Sequence, residues 1–136
     1  LILGNHDAGA TFLQMLSFIQ EAGIEILSDE AILLDEAFYL IGRKDLSPIG
    51  YQGTMLRADL SALVAPEMTS YPGILTDHQP SPLSDYQDVD LILSRHTHHG
   101  QLFPFNLVTK AFYEIDYGHL QAASGEQIIV SSGVGT

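Results

Sequence analysis

The sequence predicts an α/β layered fold, and two observations carry that reading. Short apolar runs of strand length alternate with stretches of helical periodicity. Three polar clusters containing histidine each stand where an apolar run ends, at residues 4–7, 77–80 and 94–100. In layered α/β proteins, ligands collect where loops leave the carboxyl ends of the strands.

The elements follow in chain order. Residues 1–3 are apolar and run into Gly4-Asn5-His6-Asp7, which reads as a strand ending in a loop. Thr11-x-x-Gln14 resembles a capping box, and Phe12, Met15, Leu16 and Ile19 then recur at helical spacing until Gly23 stops the helix. Apolar stretches 24–27 and 31–34 follow, the second pairing with 38–41 as a hairpin across Asp35-Glu36-Ala37. Residues 47–54, with Pro48, Gly50 and Gly53, form a loop, and 56–64 form a modest helix closed before Pro66. A strand at 73–76 discharges into Asp77-His78-Gln79-Pro80. Ser81-Pro82 then supplies an N-cap and an N1 proline for a short helix. A strand at 89–93 leads into Ser94-Arg95-His96-Thr97-His98-His99-Gly100. The remainder is β-rich, with a hairpin around Gly118 and a strand at 127–130. Repeats and low-complexity linkers are absent.

Composition limits the function. With 46 % hydrophobic residues in 136, the chain builds a core, and no apolar run approaches the ~20 residues that span a bilayer. The first residues read as a buried strand rather than a signal peptide, and because the chain does not begin with Met, the expectation is that its gene begins upstream. Zero cysteines remove disulfides and thiolate chemistry together and leave the compartment open. Any transition metal must then be held by His, Asn, Asp or Glu, which suits Zn, Mn or Fe. A net charge of −12, from 17 acidic and 5 basic residues, provides no basic track for nucleic acid. A small phosphorylated substrate remains compatible, because bound divalent cations supply positive charge locally.

Each cluster has a bland reading beside its chemical one. In His96-Thr97-His98, two histidines one residue apart in extended backbone point the same way and reach a shared metal centre; the bland alternative is a His-rich polar loop. The HxHxDH pattern of metallo-β-lactamase-like hydrolases is not met, since His99-Gly100-Gln101 follows. His78 alone is more often a structural hydrogen-bonding residue than a ligand, and its value comes from being one of three such clusters. Asn5 offers a carbonyl oxygen to a cation, His6 can stay off the metal and act on substrate, and Asp7 could orient it, against the alternative of a strand-exit turn. His99 and His119 read as loop and hairpin surface residues, and Gln101 as a weak candidate for lining the pocket.

In this order, Gly4-Asn5-His6-Asp7, His78 within Thr76-Asp77-His78-Gln79-Pro80, and His96-Thr97-His98 resemble the later motifs of the calcineurin-like metallophosphoesterase family, which are GNH(D/E), a lone His and GHxH. The nearest likeness is to bacterial members with DHQP and HTHxGQ signatures. Residues 89–94 before the His pair, Gly100-Gln101 after it and the glycine turn of 131–136 agree. The resemblance covers essentially the whole chain, residues 1–136, as a partial domain. It implies a layered β-sandwich flanked by helices, incomplete at both ends, and metal-dependent hydrolysis of phosphate mono- or diesters at a two-metal centre. Asn5, His78 and His96 match ligands of the second metal, and His98 a ligand of the first. His6 matches the histidine that stabilises or protonates the leaving oxygen, with Asp7 steering it. The implied cofactors are two divalent ions (Mn, Zn or Fe) in the parent protein, with at most one expected in this chain. The implied partner is a small phosphorylated substrate; membrane association of the parent is left open.

Two departures from the family pattern stand out. The DxH and GDxxD motifs, which supply the rest of the first site and the bridging Asp, do not occur in residues 1–136. Asp29, Asp35 and Asp45 all follow the first cluster and do not replace them. Arg95 stands where the family has Gly before its His pair. Either it points away, or through strain or charge it impairs metal binding; some loss of activity is the expectation. Alternative readings are therefore a non-catalytic metal-binding remnant, or a different hydrolase holding one zinc with His78, His96 and His98.

Overall fold

The computed structural model describes residues 1–7, 9–47, 56–86, 88–95 and 118–131. Their centre is one mixed six-stranded sheet of β1 (Glu30–Leu34), β2 (Phe38–Gly42), β3 (Gly73–Asp77), β4 (Leu91–Ser94), β5 (Gly118–Gln121) and β6 (Gln127–Val130). The spatial order is β1-β2-β3-β4-β6-β5. The four middle strands run parallel, and β1 and β5 close the two edges antiparallel. The α/β class predicted from the sequence is therefore the observed one.

Strand alternation makes the core. Ile41, Leu75, Ile92 and Ile128 are register partners across β2, β3, β4 and β6, and all four point to the same face. None exposes more than 1 % of its surface, and burial of such a side chain is worth roughly 1.5–3 kcal/mol. Leu60 from α2 (Leu60–Leu63), Met68, Tyr86, Val89 and Val130 complete this layer. On the opposite face, Thr76 and Leu93 are partners and remain partly open. The helix α1 (Phe12–Glu21) borders a cleft on that face with Met15 and Ile19.

The hairpin of β1 and β2 has the expected register, with Ala31 opposite Ile41 and Leu34 opposite Phe38. Its turn places both Asp35 and Glu36 at positive φ, the twist that suits a tight hairpin. Helix α1 ends as predicted. Gly23 has φ +68°, its N–H donates to Gln20 O, and Ile24 N–H donates to Ile19 O, so two terminal carbonyls are satisfied in a Schellman arrangement.

Several expectations need correction. Residues 1–3 and 24–27 are not sheet strands; they bond to each other, Leu1 N to Glu25 O at 2.9 Å and Leu27 N to Leu1 O at 2.8 Å. Two bonds made by one residue do not propagate into a ladder. Thr11 precedes the helix but makes no side-chain cap, because its φ of −92° and ψ of 0° depart from the extended conformation of an N-cap residue. The helix expected over 56–64 shrinks to Leu60–Leu63, since the backbone of the preceding residues is committed to tertiary partners: Ala58 N–H to Asp29 and Ala58 O to Arg43. The turn after Pro82 is a single 3₁₀ turn, Leu83–Asp85. The β5–β6 hairpin turns at Gly125, with φ +115°; Gly118 opens β5, and the preceding arm of the hairpin expected around Gly118 lies outside the described residues. The loop of 48–55, His96, His98, His99, Gln101 and the glycine turn of 132–136 lie outside the described residues.

Candidate metal centre

Alternation along β3 decides which way its last residues face. Gly73, Leu75 and Asp77 are buried on the core side. The next residue, His78, follows the strand into a cleft of about 520 Å³ bounded by residues 1–4, His6 and Asp7, α1 and the carboxyl ends of β3 and β4. His6 and Asp7 line the same cleft, as does Arg95 at the end of β4.

Two residues 73 apart in sequence meet here: Asn5 Oδ1 lies 2.9 Å from His78 Nε2. The pair is a hydrogen bond in which the imidazole N–H donates and the amide oxygen accepts. The closeness depends on Gly4. A Cβ at that position would lie 2.5 Å from His78 Cε1 and 2.6 Å from both ring nitrogens, so the imidazole rests on bare backbone. Asp7 closes the loop from the other side, with Asp7 N donating to Gly4 O at 2.9 Å and Asp7 Oδ2 accepting from Gly4 N at 2.7 Å. The carboxylate thus holds the turn that presents Asn5 and His6. His6 itself is exposed at the rim.

The donor pair fits a divalent cation. Two ligands about 2.1 Å from one ion and at right angles lie roughly 3 Å apart, close to the observed 2.9 Å. An amide oxygen with an imidazole nitrogen suits borderline ions such as Zn, Mn or Fe. Among the described residues no group of three His, Asp or Glu side chains gathers to hold an ion, so this pair calls for further donors. His96 and His98, the other expected ligands, lie outside the described residues.

Beneath the cleft is a buried charge network that the sequence reading missed. Asp77 is fully buried and accepts from Arg57 Nη1 at 3.0 Å, with Arg43 Nη1 at 3.6 Å. Tyr86 Oη donates more loosely to its other oxygen, at 3.4 Å. Burial pushes the Asp77 carboxyl above its ordinary value, and the two guanidiniums pull against that shift. Burial, reinforced by the Asp77 charge, pushes the Tyr86 phenol up to about 12. Gln79 donates to Asp45 Oδ1 at 2.8 Å and to Ser47 Oγ at 3.1 Å. Asp29 accepts from Lys44 N and Ala58 N. The Asp29 and Asp45 carboxylates therefore brace loops. The one sequence signal for any of this was the position of Asp77, one residue before His78 at a strand end.

Arg95 is exposed, and its backbone N–H donates to His78 O at 3.3 Å. It is not among the residues of positive φ, so the strain expected from replacing a glycine is not present.

A parallel-centred α/β sheet with an oxygen and nitrogen donor pair at its carboxyl edge defines an α/β protein with a candidate metal-binding cleft. The chain is 34 % identical over 139 residues to an uncharacterized metallophosphoesterase of Aquifex aeolicus, covering 99 % of this chain and 52 % of that protein. It is 31 % identical over 142 residues to one from Helicobacter pylori, covering 97 % of this chain and 36 % of the relative. A Campylobacter jejuni metallophosphoesterase is 33 % identical over 137 residues, with 98 % and 36 % covered. No family model matches the chain, and no solved structure does. The chain belongs to the metallophosphoesterase family, and it spans between about a third and a half of the length of these curated relatives. Membership implies divalent metal ions.

Proposed function

We propose that this chain forms the later part of a phosphoesterase domain that hydrolyses phosphate mono- or diesters with two divalent ions, Mn, Zn or Fe. Asn5, His78 and His96 would hold one ion and His98 would contribute to the other. The ions supply charge neutralisation at the phosphoryl oxygens and a water of lowered pKa. The chain's own residues do the rest. His6, at the cleft rim, holds or delivers a proton at the leaving oxygen. Asp7 fixes the turn on which His6 rides, and Gly4 makes room for the His78 ring. The substrate class is a small phosphorylated molecule, in keeping with a net charge of −12 that disfavours nucleic acid. Among the described residues no helix is long and apolar enough to cross a membrane.

The observation that carries this reading is the 2.9 Å approach of Asn5 Oδ1 to His78 Nε2, with His78 and His6 lining one cleft. The test compares two variants in a chain extended by the family's DxH and GDxxD motifs. His78→Ala is expected to lower both bound metal and turnover of bis-p-nitrophenyl phosphate. His6→Ala is expected to keep the metal and lose turnover, most for esters with poor leaving groups. If His6→Ala strips metal as thoroughly as His78→Ala does, the assigned roles are wrong.

A further inference from the structure

His78 is carried by a short loop whose two ends are held by one side chain. Arg57 Nη1 donates to Asp77 Oδ1 at 3.0 Å, immediately before His78. Arg57 Nη2 donates to Ser81 Oγ at 2.6 Å, just past Pro80. A planar guanidinium presents its donors in a fixed fork, so satisfying both at once fixes the distance across the loop. We propose that Arg57 is a positioning residue for the metal centre: it clasps the loop of 78–80 so that the His78 ring is pressed onto Gly4 and faces Asn5. The proposal rests on the reading of His78 as a metal ligand.

The clasp is itself held. Ala58 N–H donates to Asp29 Oδ2 at 2.8 Å, and Ala58 O accepts from Arg43 Nη2 at 3.0 Å, so the backbone beside Arg57 is fixed through both its polar groups. The Arg57 side chain is only 9 % exposed, and its partner Asp77 is fully buried. In the middle of the loop, Gln79 is drawn away by Asp45 and Ser47. Asp77, Gln79 and Ser81 are thus all engaged below the cleft, while His78 turns into it. A buried ion pair that only stabilised the fold would need one guanidinium nitrogen on Asp77. The second prong, onto Ser81, spans the histidine loop.

The test uses the full 136-residue chain with Mn²⁺ alone as probe, and three readouts. These are thermal melting, Mn²⁺ affinity by calorimetry, and the ring-current shift that the His78 imidazole imposes on the Gly4 α-protons in the metal-free protein. Ser81→Ala removes one prong, together with the long Ser81 Oγ to Asp77 Oδ2 bond at 3.5 Å, and leaves the Arg57–Asp77 contact; Arg57→Lys keeps Ser81 and the charge but replaces the fork with a single ammonium, so a loss seen in both variants belongs to the clasp. Both are expected to collapse the Gly4 shift towards an ordinary glycine value. Both are also expected to weaken Mn²⁺ binding about tenfold, the low end of what loss of a ligand-orienting contact costs. Ser81→Ala should do so with little change in melting temperature, which a purely structural role would not produce. His78→Ala is the control for the underlying reading. If it abolishes Mn²⁺ binding while Ser81→Ala and Arg57→Lys keep wild-type shifts and affinity, the clasp is refuted and the ligand assignment survives. If His78→Ala leaves Mn²⁺ binding intact, the ligand assignment fails and the metal-centre role of Arg57 falls with it; the Gly4 shifts then show only whether Arg57 holds the loop. If Arg57→Lys does not fold, Ser81→Ala decides alone.

Discussion

Gly4→Ala adds one methyl group at the point where the candidate centre is tightest. The new Cβ would lie 2.5 Å from His78 Cε1 and 2.6 Å from Nδ1 and Nε2. Favourable contact needs about 3.5–4.0 Å between carbon atoms, so ring and methyl must separate by about 1 Å. Gly4 is not among the glycines of positive φ, so backbone strain adds nothing, and the effect is steric alone. Holding the ring in place would cost about 1–3 kcal/mol of overpacking. Turning it aside gives up the Asn5 hydrogen bond among the ring's interactions, a loss of about 1 kcal/mol net for that bond. The ring lies in an open cleft, so turning aside is the cheaper response. The expected result is a chain that melts within a few degrees of wild type but binds Mn²⁺ at least tenfold more weakly, because a ligand has been displaced rather than deleted. Calorimetric Mn²⁺ titration beside a melting curve measures both quantities on one sample. Unchanged affinity would refute the claim that bare backbone at Gly4 seats His78. A collapse of stability with no folded baseline would show that Gly4 serves the fold and not the centre.

Two further substitutions probe the surroundings. Asp77→Ala leaves the Arg57 and Arg43 guanidiniums buried without the carboxylate that faces them, and should cost about 3–5 kcal/mol in urea unfolding; a loss below 1 kcal/mol would mean that solvent reaches the network. Arg95→Gly relieves no strain, since Arg95 is exposed and lacks positive φ, so stability should stay within about 0.5 kcal/mol and Mn²⁺ affinity within twofold; a tenfold gain in affinity would show that the guanidinium opposes the cation.

The parts of the fold legible in sequence are those fixed by local pattern. The period-two run through Leu75 and the turn at Asp35 and Glu36 specify their own strands and register, and the helical spacing of Phe12, Met15, Leu16 and Ile19 identifies the inner side of α1. Asn5 and His78 are legible because residue type and a place at the end of an apolar run suffice to suspect a donor, although only the run before His78 is a sheet strand. Expectations failed where distant partners outbid local preference. Residues 56–59 have an apolar neighbourhood that reads as helix, yet Ala58 bonds outward to Asp29 and Arg43. Residues 1–3 have strand composition, but within the described residues their backbone bonds run from Leu1 to 25 and 27 alone. Nothing local marks Arg57: it is a lone arginine after a loop, and its meaning lies in Asp77 and Ser81, 20 and 24 residues away.

Chemistry and placement are therefore carried by different kinds of residue. The donors are conspicuous because few side chains can ligate a metal and because each follows an apolar run. The residues that aim them are ordinary, and alternation along β3 connects the two sets: a carboxylate at 77 must enter the core if an imidazole at 78 is to enter the cleft. A buried carboxylate needs cationic or hydrogen-bonding partners, so choosing His78 for the cleft obliges the core to supply Arg57, Arg43 and Tyr86 around Asp77. The same coupling predicts which substitutions uncouple folding from metal binding. Changes at Gly4, on the cleft side, or at Ser81, the far prong of the clasp, release the ring while the Asp77 ion pairs keep the sheet together. Changes at Asp77 release both at once.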